Sequence, residues 1–201
     1  MRLEFEGQTV FVTGAVRGIG RTICHRFAEL GAAVWAADIE EQLLSEITDG
    51  LDDKVMTRIK TVHLDVTNPK NVQDIVAQAQ KASNTGAIDV LIHSAGGVKS
   101  RFKTPIENVS DADWRAIQAV NVDGAFNLTR AVVPKMKERK KGKIVIISSR
   151  AGLGVSLTGV QSYGTAKAAQ IGLVKQLASE LGQFGITCLL YTSPSPRDLY
   201  Q

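Results

Sequence analysis

The chain has 201 residues, of which 44% are hydrophobic and 22% are charged, and its formal net charge is +4. This length is most simply one domain with a substantial core, and the composition is that of a soluble globular protein. No apolar run approaches the roughly 20 residues that cross a bilayer, and the N-terminus lacks the pattern of a secretory signal. The two cysteines give neither a disulfide framework nor metal-ligand spacing, so we expect a cytoplasmic protein without a metal.

A basic cluster at 135–143 could indicate nucleic acid binding. It lies at the end of a predicted helix, where cations complement the helix dipole, and it has no interleaved aromatic residues. We therefore expect a solvated helix end, with a small-molecule substrate as partner rather than nucleic acid or a membrane.

Short apolar strands alternate with amphipathic helices along the chain. In order, strands are predicted at 9–12, 33–37, 59–64, 88–92, 144–147 and from 185, and helices after the glycine turn up to 30, then at 40–47, 69–82, 111–137 and 161–181. Wholly apolar strands between helices indicate a parallel sheet covered on both faces, and right-handed crossovers make it doubly wound. The fold class is therefore α/β, with about six strands and ligands at their carboxyl ends.

A glycine-rich turn, TGAVRGIG at 13–20, joins the first strand to the first helix. Its glycines, Gly14, Gly18 and Gly20, read G-x-x-x-G-x-G. A strand, a tight glycine turn and a helix form the context in which backbone amides and the helix dipole bind a pyrophosphate. We predict a dinucleotide site here that also includes Ile19; an ordinary glycine-rich turn is the alternative.

Asp38 follows the second predicted strand, eighteen positions after Gly20. A carboxylate at this place can accept hydrogen bonds from the adenosine ribose hydroxyls and would repel a 2′-phosphate. Asp38 therefore favours NAD over NADP. A simple helix cap is the alternative interpretation.

Tyr163 and Lys167 are four residues apart on a predicted helix, so they share a face. Reduction of a carbonyl needs a proton donor for the oxygen that becomes an alkoxide. Free tyrosine has a pKa of about 10, which a neighbouring ammonium lowers. Ser149, at the end of the fifth strand, can donate a further hydrogen bond to the developing oxyanion.

These motifs occur in the order, and at nearly the intervals, of the short-chain dehydrogenase/reductase family. The chain resembles that family from about residue 5 to 187, through Thr13 to Gly20, Asp38, Asp65, Ala95-Gly96, Asn121, Ser149, Tyr163 and Lys167. His93-Ser94 stands where the family usually has Asn-Asn, and we expect His93 to be a hydrogen-bonded structural residue. The interval from Ser149 to Tyr163 is one residue longer than usual, which leaves Ser148 as an alternative for the serine role.

The resemblance implies a Rossmann fold and hydride transfer between NAD(H) and a secondary alcohol or ketone of sugar, polyol or 3-oxoacyl type. Tyr163 would be the general acid/base, and Lys167 would bind the nicotinamide ribose and tune the tyrosine. Ser149 would orient the substrate carbonyl, and Asn121 would hold a water of the proton relay. The implied cofactor contacts are Gly14, Arg17, Gly18, Ile19, Gly20, Asp38, Asp65, Val66, Ser94, Ala95, Gly96, Tyr163 and Lys167.

Besides Asp38, two of these contacts have competing interpretations. Arg17 argues for NADP, because relatives that prefer NADP often carry a basic residue there; repulsion by Asp38 should be the stronger effect, so we expect NAD. Asp65 resembles the family's adenine-contacting aspartate, but a helix or turn cap before Asn68-Pro69 explains it nearly as well.

After Thr187 the sequence departs from the family pattern. Residues 188–198 resemble the translation of a sequencing adapter. We therefore predict a Rossmann domain with the catalytic residues at 1–187 and a non-native tail at 188–201. The family's lid and last strand would then be missing from this truncated chain.

Three other functions remain open. The chain could be an inactive truncated fragment or a non-catalytic dinucleotide sensor, although a sensor does not require Tyr163 and Lys167. A methyltransferase also pairs a glycine loop with an acidic residue, but it leaves the same two residues unexplained. In the full-length parent, the resemblance implies a homo-oligomer, a dimer or tetramer formed through the helices at 111–137 and 161–181.

Overall fold

The computed structural model describes residues 4–98, 103–155 and 159–193. In this part of the chain a single sheet runs in the order β3-β2-β1-β4-β5-β6, and all its neighbouring strands are parallel. The strands are β1 Thr9–Thr13, β2 Ala33–Asp38, β3 Ile59–His63, β4 Val90–His93, β5 Gly142–Ser149 and β6 Ile186–Ser193. This strand order is that of the Rossmann fold, in which ligands bind where the order reverses, here between β1 and β4. The predicted fold class is confirmed.

Helices follow the strands as the sequence predicts, with three differences, the first of which is a short helix, Asp53–Met56, that was not predicted. The helices are α1 Gly18–Glu29, α2 Asp53–Met56, α3 Pro69–Ala82, α4 Asp111–Gln118, α5 Gly124–Arg139 and α6 Gln161–Leu181. The single helix predicted at 111–137 is divided by a π-helical turn, Ala119–Asp123, and continues to Arg139. The helix predicted at 40–47 is a 3₁₀ helix, Glu41–Thr48.

The central strands β1 and β4 are buried on both faces of the sheet, and successive side chains of each strand point to opposite faces. In β1, Val10 and Val12 pack beside Cys24 of α1, whereas Phe11 packs in the cluster that contains Leu128 of α5. All five residues of β1 are buried. Two cores therefore hold the carboxyl end of the sheet in place.

Among the described residues, no helix is both long and apolar enough to cross a membrane.

The last strand includes part of the predicted tail. β6 pairs with β5 from Gly142 opposite Ile186 to Ser149 opposite Ser193. Residues 188–193 thus continue a strand that begins at Ile186, and residues 194–201 lie outside the described part of the chain. The non-native origin of the tail stays a prediction.

Candidate active site

The glycine loop packs directly against the segment that follows β4. Gly14 has φ +68°, and a Cβ at this position would lie 2.7 Å from the backbone nitrogen of Ala95. A Cβ on Gly20 would collide with the carbonyl oxygen of Gly14. Only glycine fits at these two positions, because the obstacle in both is backbone that cannot move aside.

The N-terminus of α1 is open to an anion. In the described structure no side chain caps the helix at Arg17, and its first turn contains no acidic residue. The first backbone amides of a helix have no partner within the helix, and the helix dipole makes this end positive. Gly18 has φ +49°, and apart from its chain neighbours and the backbone of its own helix, no described atom lies within 4 Å of where its Cβ would stand. These features fit the pyrophosphate of a dinucleotide.

Asp38 lies beside the glycine loop at the end of β2. Its Oδ2 accepts a hydrogen bond from Val16 N at 3.2 Å, and its Oδ1 accepts one from Glu40 N at 3.1 Å. Arg17 extends from the loop and pairs with the Glu40 carboxylate at 2.7 Å. Two carboxylates, Asp38 and Glu40, therefore lie beside the glycine loop, and Glu40 pairs with the basic residue that argued for NADP.

Asp65 makes the turn cap that was one of its two interpretations. Its Oδ1 accepts hydrogen bonds from both the backbone nitrogen and the hydroxyl of Thr67, at 2.9 and 2.7 Å. Val66 is buried, and its carbonyl accepts a hydrogen bond from Asn127 Nδ2 at 3.1 Å. The adenine contact of Asp65 and Val66 stays a prediction.

The segment after β4 joins the glycine loop to the catalytic side. Ser94 N and Ala95 N donate to the carbonyl oxygen and the hydroxyl of Thr13, at 3.2 and 3.3 Å. Gly96 has φ +150°, and a Cβ there would collide with Asn121 Oδ1 and lie 3.5 Å from Lys167 Nζ. The backbone of this segment is therefore held between the predicted cofactor loop and the predicted catalytic lysine.

His93 is fully buried at the end of β4. Its Nδ1 lies 2.9 Å from the Thr13 hydroxyl, and its Nε2 has no hydrogen-bond partner among the described residues. Burial, and secondarily the charge of Lys167, lower the pKa of His93 to about 3. The side chain is accordingly a neutral, hydrogen-bonded imidazole.

Tyr163, Ser149 and Lys167 come together at the carboxyl end of β5. Ser149 shares a hydrogen bond with Tyr163. Burial raises the pKa of Tyr163 and this bond opposes the rise only in part, so the pKa lies above its ordinary value, whereas the sequence predicts a lowered one. Ser148 points away, is buried, and donates to the carbonyl of Lys167 at 3.1 Å. The geometry therefore favours Ser149 over Ser148 for the serine role.

Lys167 is 4% exposed and is held by two acceptors. Its Nζ donates to the Ile147 carbonyl at 3.0 Å and to Gln170 Oε1 at 3.1 Å, and it lies 5.5 Å from the centre of the Tyr163 ring. Burial lowers the pKa of Lys167 to about 8. The lysine thus remains mostly an ammonium at neutral pH.

Asn121 lies in the π-helical turn between α4 and α5, and such turns are frequent at functional sites. Its Nδ2 donates to the carbonyls of Gly97 at 3.0 Å and Ile117 at 2.9 Å, and its Oδ1 accepts from Gly97 N at 3.3 Å. Its backbone carbonyl accepts from Gln170 Nε2 at 2.7 Å. The side chain is therefore a clamp on the segment after β4.

Sequence reasoning missed Glu40 and Gln170. Glu40 was detectable as an acidic residue two positions after Asp38, with a charge opposite to that of Arg17. Gln170 was detectable as a polar residue three positions after Lys167, on the buried face of α6. No group of three or more His, Cys, Asp or Glu side chains within the described ranges could hold a metal ion.

Comparison with known sequences identifies the family of the chain. A family model described as short chain dehydrogenase matches residues 8–194. The chain is 32% identical to the 2,3-dihydro-2,3-dihydroxybenzoate dehydrogenase of Bacillus subtilis, over 91% of this chain and 67% of that protein. It is 34% identical to the 3-oxoacyl-[acyl-carrier-protein] reductase FabG of Thermotoga maritima, over 89% of this chain and 70% of that one.

Solved structures give the same result. NAD+-bound xylitol dehydrogenase superimposes with a TM-score of 0.84 at 28% identity, over 94% of this chain and 71% of that one. The two sequence relatives are a dehydrogenase and a reductase, and the solved structure shares the fold. The chain belongs to the short-chain dehydrogenase family.

Proposed function

We propose that this chain is an NAD-dependent oxidoreductase that interconverts a secondary alcohol and a ketone. The observation that carries the proposal is the convergence of Ser149, Tyr163 and Lys167 at the carboxyl end of β5, beside the segment that packs on the glycine loop. A binding module does not require this trio. A methyltransferase leaves it unexplained.

Each of the three side chains has a role that follows from its surroundings. Burial keeps the Tyr163 hydroxyl protonated at neutral pH, so it can give its proton to a carbonyl oxygen that becomes an alkoxide. Ser149 donates a hydrogen bond to the same oxygen. The Lys167 ammonium stabilises the phenolate that remains on Tyr163. When bound, the nicotinamide supplies the hydride in reduction and accepts it in oxidation.

The preference for NAD over NADP is supported by the charges around the glycine loop. The Asp38 carboxylate faces the loop through its bond to Val16 N. The Arg17 guanidinium, which could otherwise pair with a 2′-phosphate, already pairs with Glu40. A phosphate placed here would meet two carboxylates and a cation that is already paired.

Two relatives support a substrate of sugar, polyol or 3-oxoacyl type. One is a 3-oxoacyl reductase and another is a xylitol dehydrogenase. The test follows the absorbance of NADH while the protein is supplied with 3-oxoacyl thioesters and with ketoses. NADH oxidation that depends on one of these ketones is the expected result, and binding of NADH without turnover on any of them would favour the sensor alternative.

We also infer a homo-oligomer for the full-length parent and a cytoplasmic location. The groove between α5 and α6 has an apolar lining that includes Val133, Leu173 and Phe126, the last 47% exposed, and a second copy of the chain would cover it. Light scattering should give a dimer or tetramer mass, and a monomer mass would contradict this. Both cysteines, Cys24 and Cys188, are free thiols, as suits a reducing compartment.

A further inference from the structure

Gln170 connects two parts of the site that come from different elements. It lies on α6, three residues after Lys167, and is 0% exposed. Its Nε2 donates to the backbone carbonyl of Asn121 at 2.7 Å, and its Oε1 accepts from Lys167 Nζ at 3.1 Å. An ammonium can only donate and a carbonyl can only accept, so the two partners fix the orientation of the amide.

We propose that Gln170 is a positioning residue, which holds the Lys167 ammonium beside Tyr163 and links it to the π-helical turn. This inference rests on the proposed function. It goes beyond that function because the resemblance implies only a water at Asn121. In this structure the buried side chain of Gln170 connects Asn121 to Lys167. The amide of Gln170 hydrogen-bonds to Lys167 and to the Asn121 carbonyl, and it does not gain or lose a proton itself. It therefore fixes the position of the lysine.

The bridge also acts on the charge of Lys167. An acceptor in contact with an ammonium stabilises the charged form, which opposes the effect of burial on the lysine pKa. In the described part of the chain, the titratable groups that face Lys167 are Tyr163 on the same helix and His93 at the end of β4. His93 is neutral, so the dipole of Gln170 and the carbonyl of Ile147 are the contacts that favour the ammonium.

The test measures the pH at which Lys167 titrates, by NMR of protein containing ¹³C-labelled lysine. Wild-type Lys167 should titrate near 8. In Gln170→Met, which keeps the length but loses the acceptor, the midpoint should fall by about one pH unit, because a hydrogen bond to a charged group is lost. In Gln170→Glu, the midpoint should rise by about one unit or more, because a carboxylate stands beside the ammonium.

The matched control is Gln118→Met. Gln118 Nε2 donates to the Ser162 carbonyl of α6 at 2.9 Å, so this variant also removes a glutamine bridge to the same helix. Its Lys167 midpoint should stay at the wild-type value. If Gln170→Met does not fold, Gln170→Asn, which keeps the amide but is too short for both partners, should show the same downward shift.

A second measurement ties the bridge to the reaction. The alkaline limb of the rate of ketone reduction should move to lower pH in Gln170→Met and to higher pH in Gln170→Glu, following the Lys167 midpoint. Shifts of the same sign in both variants, or no shift in either, would overturn the proposal. Failure of the proposed function would appear differently, as a wild-type protein that neither binds nor oxidises NADH.

Discussion

The Tyr163→Phe variant should lose between about a hundredfold and ten-thousandfold in kcat, the usual contribution of a positioned general acid. The change removes the hydroxyl that hydrogen-bonds to Ser149 and leaves the ring beside Lys167. Because the proton is needed only when the alkoxide forms, kcat should fall far more than the affinity for NADH, which loses at most the contact of one hydroxyl. Steady-state kinetics and a fluorescence titration measure the two effects separately.

The matched control is Thr165→Val on the same helix. Thr165 is exposed, and its hydroxyl donates to the Gln161 carbonyl one turn earlier, at 2.9 Å. This variant loses a hydroxyl from α6 at a position away from Ser149 and Lys167, and its kcat should stay near the wild-type value. A Tyr163→Phe protein with undiminished kcat would show that another group donates the proton.

The second large effect is on stability in acid and comes from His93. A histidine has a pKa of about 6.5 in an unfolded chain, and burial lowers the pKa of His93 to about 3 in the folded protein. The folded state therefore keeps the imidazole neutral where the unfolded state binds a proton. The neutral imidazole therefore contributes its full stability above the unfolded pKa. This contribution is lost as the pH falls from the unfolded pKa towards the folded pKa of about 3. Near pH 4.5 the loss should be roughly 3 kcal/mol.

His93→Asn should make the free energy of unfolding depend less on pH. Asn is the residue that the family usually has there, and it cannot take up the proton. Urea unfolding near pH 7 and near pH 4.5 gives the pH-dependent part of the stability, which should be about 3 kcal/mol smaller in the variant. His63→Asn is the control, because His63 is exposed on β3. Equal pH dependence in wild type and His93→Asn would contradict the burial of a neutral imidazole.

Local signals made part of this fold predictable. The bounds of α3 were predicted because Asn68 and Pro69 begin a helix: Asn68 Oδ1 accepts from the backbone nitrogens of Lys70 and Asn71, and Pro69 needs no partner for a backbone N–H. The glycine loop was predictable for a similar reason, since Gly14 requires a backbone conformation that other residues rarely adopt.

Long-range contacts explain what was missed. The π-helical turn interrupts a sequence with continuous helical character, and it is tied to Gly97 by Asn121, 24 residues away. The role of Gln170 depends on its hydrogen bond to the Asn121 carbonyl, 49 positions earlier in the chain. The choice between Ser148 and Ser149 depends on a one-residue register, because adjacent strand residues face opposite sides of the sheet.

The most direct test of the central claim is a fluorescence titration of the purified chain with NADH and then with NADPH, repeated on Asp38→Asn. Saturable binding at least about tenfold tighter for NADH, a difference of ~1.4 kcal/mol, is expected. Asp38→Asn should reduce that preference, because it removes the charge beside the loop without changing the size of the side chain. Tighter binding of NADPH by the wild type would contradict the role given to Asp38. No binding of either nucleotide would contradict NAD-dependent activity of this chain and would favour the inactive truncated fragment.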